Sequence, residues 1–358
     1  NIIVKNTHIF EDTEDAGDEY NFSPIKQPQV LTTRNGKFSV SLFEKNSLFA
    51  TLKLDFYLLI PESLNEDRSA RSKNLVSFLI ESYVTIFSNS NVVKFRTIVY
   101  NNAKDHRLRV LFPTDINSSF FFTDGNFDVI KRKAVSDIIN DNWEVETPPR
   151  VVPQKTFLSM NDKNKGITII SYGLPEVEVI KAEKGLIGAI TLLRCVGWLS
   201  RSDLLTRRGH AGPPIEVPDA QCLGTHEFHY AVILHKGGWE RNQIYKYAQE
   251  FITPLKGIAT THHQAELPWR MSFVEVEPNC IILSAIKKAE NNNDVILRFW
   301  NTTSKKVLSK IKFYKNIKQA ELVGMDEIHQ RKKIKLNSKN ELSLYFEPFK
   351  IKTIRISL

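Results

Sequence analysis

Apolar and polar residues alternate at every second position along most of this chain. Val76, Phe78, Ile80, Val84 and Ile86 share one parity, and Ser77, Glu81 and Thr85 take the other. Leu108, Val110 and Phe112 alternate with Arg107 and Arg109. Val307, Ile311 and Phe313 alternate with Lys310 and Lys312, and Ile354, Ile356 and Leu358 with Thr353, Arg355 and Ser357. Successive side chains of a strand point to opposite faces, so a period of two marks strands with one buried face. Turn signals punctuate the runs at Arg34-Asn35-Gly36, Asp124-Gly125-Asn126, Lys163–Gly166 and Asn291–Asp294. Helical spacing is rare. Its best instance is Glu240–Phe251, with Ile244, Ala248 and Phe251 in phase before Pro254. Roughly fifteen or more short strands without βα alternation predict stacked sheets, an all-β protein.

A chain of 358 residues exceeds the usual single core. After Pro268-Trp269 the sequence passes through Glu275–Asn279 and restarts as a fresh set of strands. This predicts a large sandwich over residues 1 to about 274 and a small one over 275–358. With 42% apolar and 25% charged residues the composition is that of a soluble globular protein. No apolar run approaches the about 20 residues that span a bilayer, so no membrane partner is expected. There is no basic-apolar-small leader pattern, and the chain starts at Asn1 rather than Met, as expected of a piece of something longer. Cys195, Cys222 and Cys280 are too few and too scattered for a disulfide framework, which favours a reducing compartment and a cytoplasmic location.

The net charge of +9 raises nucleic acid as a partner. The basic residues are dispersed, however, and many alternate with apolar ones, as on the solvated faces of half-buried strands. The tightest cluster, Arg331-Lys332-Lys333, is too short for a binding tract. No nucleic-acid partner is expected.

The densest chemistry lies in Leu186–His235, where two strand-like runs flank an Arg-Gly-Pro loop carrying Arg201, Asp203, Arg207, Arg208, His210 and Asp219. Loops held by rigid strands are where function concentrates. Cys222, His226, His229 and His235 have the right side chains for zinc, but His226 and His229 fall on opposite faces of a strand and cannot converge. His262 and His263 diverge for the same reason. Asp105-His106-Arg107 reads as a buried polar knot supporting a sheet, with an acid-base pair as the alternative.

Several stretches resemble the region following the catalytic domain in glycoside hydrolase family 38, the α-mannosidases. They are DAGDEYNFSP (Asp15–Pro24), VYNNAKDHRLRVLFPT (Val99–Thr114), SYGLPEVEV (Ser171–Val179), the Leu186–His235 block, SAIKKAENNNDVILRFWNTTSKKV (Ser284–Val307) and EPFKIKTIRISL (Glu347–Leu358). They run in order from end to end. The forms DHRLR and TRRGHAGP are most similar to the bacterial and cytosolic branch, which includes mannosylglycerate hydrolases. The resemblance implies a galactose-mutarotase-like supersandwich followed by a small C-terminal β-sandwich. It also implies a zinc-bearing catalytic barrel upstream in the same polypeptide, with an Asp nucleophile and zinc held by two Asp and two His.

This chain lacks the family's His-x-Asp and His-His-Asp motifs; its nearest string is Thr261-His262-His263-Gln264. A retaining glycosidase needs two carboxyl groups about 5 Å apart, and no pair here is marked by motif or spacing. No cofactor is therefore expected in this chain, and zinc is expected in the catalytic domain. The resemblance implies a non-catalytic part of a retaining zinc-dependent enzyme acting on α-mannosides or mannosylglycerate. It would brace the barrel and contribute to the sugar subsite.

By the same resemblance Tyr20 would reach the sugar subsite, its ring on sugar C–H faces and its hydroxyl on a sugar hydroxyl; otherwise it is a strand tyrosine at a domain interface. Arg207 and Arg208 would serve substrate hydroxyls or a glycerate carboxylate, or tie the loop to the barrel, and His210 could touch substrate. The alternative is a stand-alone carbohydrate-binding or scaffold β module, since this fold hosts many functions.

Overall fold

The computed structural model describes residues 2–134, 143–262, 264, 266–329 and 332–358; His263 and Arg331, singled out above, lie outside the described residues. Antiparallel strands dominate, as the period-two pattern predicts. The chain packs into two compact units, residues 1–123 with 130–238, and residues 124–129 with 239–358.

The larger unit carries two sheets. One runs in the order Val152–Pro153, Glu176–Ala182, Gly185–Cys195, His106–Pro113, Ile9–Glu14 and Leu31–Thr32. The other runs Lys37–Lys45, Phe49–Pro61, Leu75–Phe87, Val92–Asn101, Gly224–His235, Gly166–Tyr172, Phe157–Asn161, Phe120–Asp124 and Val129–Lys133. Between them lie Phe10, Phe78, Ile80, Leu108, Phe112 and Ile169, all buried. Each fully buried side chain of this size stabilises the fold by about 1.5–3 kcal/mol. A polar chain is sealed in this core: His8 Nε2 meets the Tyr230 hydroxyl at 2.8 Å, which continues to Thr97 at 2.7 Å and thence to Ser82 at 2.9 Å.

The smaller unit stacks a four-stranded sheet (Val274–Glu277, Val307–Phe313, Glu341–Phe346, Leu336–Ser338) and a five-stranded one (Ile281–Lys288, Val295–Asn301, Ile351–Ser357, Gln319–Val323, Lys332–Ile334). Phe299, Ile311, Leu342 and Ile354 fill its core. The first strand of these two sheets is Val274–Glu277. The preceding segment nevertheless packs with this unit, since Tyr245 meets the Trp300 ring at 4.6 Å and Glu240 accepts hydrogen bonds from Ser304. The helix expected over Glu240–Phe251 forms as Ile244–Ile252. It begins later because Gln243 takes a left-handed conformation (φ 51°) that cannot continue a helix backward.

Two sequence expectations change at Asp105-His106-Arg107-Leu108-Arg109. His106 Nδ1 contacts Asp12 at 2.6 Å, while Asp105, at positive φ, turns away to Arg68 and Gln221. The polar knot therefore runs between strands rather than between chain neighbours, and Arg71 joins it on Asp12 at 2.5 Å. Arg107 and Arg109 do not sit on a solvated face; both are only 6% exposed. Arg109 is compensated by Glu11, its cross-strand neighbour, and by Glu178, each at 2.5 Å. Pairing of this quality is what lets a strand bury cations. Lys310 and Lys312 do face solvent, as expected.

Candidate functional site

The strand Ile9–Glu14 ends in the acidic stretch Asp15–Pro24, which folds back on itself as a tight loop. A glycine is required at position 17. A Cβ there would lie 2.0 Å from the Asn21 carbonyl oxygen and 2.8 Å from the Ser23 nitrogen, both backbone atoms that cannot swing aside. Asp15 and Asp18 both point inward and are fully buried. Asp15 accepts from the Gly17 and Ser23 N–H groups and from Arg194 Nε at 2.9 Å.

Asp18 has the richer shell. Its Oδ1 accepts the Tyr20 and Asn21 N–H groups at 3.0 and 2.9 Å, and its Oδ2 accepts the Arg201 N–H at 2.8 Å and Arg207 Nη2 at 2.5 Å. Burial works against the Asp18 charge, but the Arg207 side chain, the Arg201 and Asn21 N–H groups and the Arg207 charge outweigh it. The carboxyl is held below its ordinary value.

Arg207 is only 4% exposed. Besides Asp18 it donates to Asn21 Oδ1, to the Arg201 carbonyl at 2.8 Å and to the Gly209 carbonyl at 3.2 Å. It therefore ties the Asp15–Pro24 loop to the loop after Gly185–Cys195. Further bonds close the seam: Thr206 Oγ1 donates to the Phe22 carbonyl at 2.8 Å and the Leu205 N–H to Ser23 Oγ at 3.0 Å. A third segment lies alongside, with the Arg208 N–H on the Val145 carbonyl at 2.8 Å and Asn21 Nδ2 on Glu146.

What this knot displays differs from what it buries. Tyr20 is 53% exposed and rests on Gly212, where a Cβ would approach the phenol oxygen to 2.8 Å. Ser200 Oγ accepts the Ala211 and Gly212 N–H groups at 3.0 and 3.1 Å, fixing the loop under the ring. Arg208 is exposed, its guanidinium 4.9 Å from the centre of the Trp143 ring, a cation–π contact. His210, two residues after Arg208, is exposed as well. Of the four residues singled out from sequence, Tyr20 thus stands beside the loop bearing Arg208 and His210. Arg207 supports that loop from within.

Sequence reasoning missed Asp15, Asp18 and Arg194, whose ion pairs hold these loops. Their signal was Asp18-x-x-Asn21, an Asp whose side chain accepts N–H groups two and three residues on. Asp15 and Asp18 are committed to arginines and backbone N–H groups, so neither is placed as a nucleophile or proton donor. Arg194 also borders a cleft of about 440 Å³ lined by Tyr172, Glu176, Thr191 and Phe228.

The donors weighed for zinc do not converge. His226 Nε2 contacts the Cys222 carbonyl at 2.7 Å, His229 contacts Glu227 at 2.8 Å, and His235 bonds Thr168 at 2.9 Å. No group of three or more His, Cys, Asp or Glu side chains among the described residues could hold a metal ion. Nor is any described helix long and apolar enough to cross a membrane.

Comparison with known proteins assigns the chain. Residues 3–203 match the glycosyl hydrolases family 38 C-terminal domain, and residues 280–354 match the family 38 C-terminal beta sandwich domain. A Halalkalibacterium halodurans protein named "Putative mannosylglycerate hydrolase" is 27% identical over 307 residues, 82% of this chain and 32% of that protein. Alpha-mannosidase G of Dictyostelium discoideum is 28% identical over 153 residues, 38% of this chain and 13% of its own. The crystal structure of an alpha-mannosidase from Enterococcus faecalis V583 superposes with a TM-score of 0.82 at 27% identity, covering 99% of this chain and 39% of that one. The chain thus spans about a third of the length of the mannosylglycerate hydrolase relative. It belongs to glycosyl hydrolase family 38, as the C-terminal domain of an α-mannosidase-like protein.

Proposed function

We infer that this chain is the non-catalytic C-terminal region of a retaining, zinc-dependent α-mannosidase that hydrolyses terminal α-mannosides. It braces the catalytic barrel and lends Tyr20, Arg208 and His210 to the sugar subsite, with Arg207 as the strut beneath them. The observation that carries the reading is the Asp18–Arg207 knot. It builds a buried base under a rim of phenol, guanidinium and imidazole, groups suited to sugar hydroxyls and to a carboxylate such as that of a glycerate aglycone. Loops held this firmly are pre-organised for a ligand supplied from elsewhere.

The zinc belongs, in this reading, to the barrel; the described residues of this chain offer it no site, and no step of the reaction is assigned to them. The test is hydrolysis of an aryl α-mannoside with zinc supplied. The native full-length gene product is expected to turn the substrate over and this chain alone is not. Turnover by the chain alone would overturn the reading, because Asp15, Asp18 or another carboxylate taken as structural would have to be catalytic.

A further inference from the structure

The larger sheet does not end where its core ends. Its outermost strand, Lys37–Lys45, pairs only with Phe49–Pro61 among the described residues, and all nine of its residues are exposed. Phe38, Val40 and Leu42 stand opposite Phe56, Leu54 and Leu52. Phe56 is core and Leu54 packs against the core, so the stripe lies on the core-side face of the sheet, carried out past the cover of the second sheet. Phe38, Val40 and Leu42 are 66%, 53% and 60% exposed, and Leu52 and Ile86 extend the same uncovered area. The opposite face carries Lys53 paired to Asp55 and Glu81, with Tyr57 and Leu59 exposed further along it. A contiguous apolar patch that the described residues leave uncovered marks an interaction site.

Among the described residues the strand also leaves one row of main-chain N–H and C=O groups unpaired, and the usual protections of an edge, charges and a β-bulge, are confined to its ends at Lys37 and Leu42–Lys45. The segment Phe38-Ser-Val-Ser-Leu-Phe43 holds no charge and no proline. Edges of this composition pair with another strand. What fits best is the same strand in reverse. Aligned antiparallel about Val40, two copies set Val40 against Val40, Phe38 against Leu42 and Ser39 against Ser41. Lys37 then meets Phe43, which lies on the opposite face beside Tyr83, its ring 5.0 Å away. Apolar side chains face apolar ones, serines face serines, and each lysine faces a ring rather than another lysine. Moving the alignment two positions so that residue numbers sum to 82 brings Lys37 onto Lys45 and Phe38 onto Glu44.

We propose that two copies of this chain associate through the Lys37–Lys45 edges, joining their large sheets across a two-fold axis at Val40. The interface is isologous, as most homodimer interfaces are. It satisfies the free backbone edge and buries the apolar overhang in one step.

Sedimentation velocity on the native full-length gene product over a micromolar concentration series should show a monomer–dimer equilibrium. Val40→Lys sets two like charges directly opposite each other and should raise the dimer Kd at least about tenfold, with an unchanged melting temperature because the site is half exposed. Val40→Cys places two thiols across the axis at a separation a disulfide can bridge, and mild oxidation should crosslink it. Leu42→Cys, which faces Phe38, should not crosslink. A monomer at every concentration, a dimer indifferent to Val40→Lys, or equal crosslinking of the two cysteine variants would each overturn the proposal. Should Val40→Lys fail to fold, the contrast between the two cysteine variants still decides the matter.

Discussion

Replacing Asp18 by alanine removes the acceptor on which four donors converge: the Tyr20, Asn21 and Arg201 N–H groups and the Arg207 guanidinium. Arg207 is only 4% exposed, so its charge would be left buried with its carboxylate gone. Breaking a buried ion pair from one side costs about 3–5 kcal/mol. For a unit of this size each kcal/mol moves the melting temperature by about 2–4 °C, so the variant should melt roughly 10 °C lower. Scanning calorimetry at pH 7 measures this. The Asp18 carboxyl is held below its ordinary value, so its contribution is fully present above the unfolded carboxyl pKa of about 4 and is lost as pH falls through the folded value. The gap between wild type and Asp18→Ala should therefore narrow below about pH 4. The double variant Asp18→Ala/Arg207→Ala should be less destabilised than the two single changes added together. A melting point within about 2 °C of wild type, or strict additivity, would refute the view that this pair anchors the two loops.

Gly17→Ala should destabilise by at least about 1–3 kcal/mol, because the new methyl meets backbone atoms at 2.0 and 2.8 Å that cannot yield without opening the loop. A urea midpoint equal to wild type would show the loop to be adaptable. Burial holds the His8 imidazole down at about 3, against an ordinary 6.5. Its stabilising share is fully present above about pH 6.5 and declines as pH falls toward the folded value. By linkage the loss is about 2 kcal/mol at pH 5. His8→Gln should flatten the stability profile between pH 7 and 5, and parallel profiles would count against this assignment.

The sheets were legible from sequence because one-face burial writes itself as a period of two: Phe78 and Ile80, placed inward by parity alone, are core residues. Parity does not say how far a covering sheet extends, and so Ile86, of the same parity, lies exposed beyond it. Nor does it distinguish a solvated arginine from a paired one. Arg107 and Arg109 alternate as Lys310 and Lys312 do, yet only the first two are buried, because Glu11 and Glu178 pair with Arg109 and the Phe22 ring lies 3.6 Å from the Arg107 guanidinium, all partners distant in sequence.

The site was half legible. Tyr20 and the Arg207–His210 loop stood out from the family resemblance, while Asp15 and Asp18 passed as members of an acid-rich loop. Their importance lies in donors almost two hundred residues away, which no local pattern reveals. The Asp105-His106 pairing suggested by adjacency fails for a related reason. A residue at positive φ turns its side chain out of the strand, and Asp12, diagonally across on the neighbouring strand, takes its place on the histidine.

The central claim is that this β region lends an exposed rim to an α-mannoside site, and Tyr20→Phe in the native full-length gene product tests it most directly. The ring and its packing on Gly212 are kept, and only the hydroxyl is removed. Half exposed as it is, the residue should leave the melting temperature unchanged. Loss of one hydrogen bond to a sugar hydroxyl, about 0.5–1.5 kcal/mol, should lower kcat/KM for an aryl α-mannoside by roughly 2- to 12-fold. An unchanged kcat/KM in a normally folded variant would contradict the account and leave the Asp18–Arg207 knot as architecture alone.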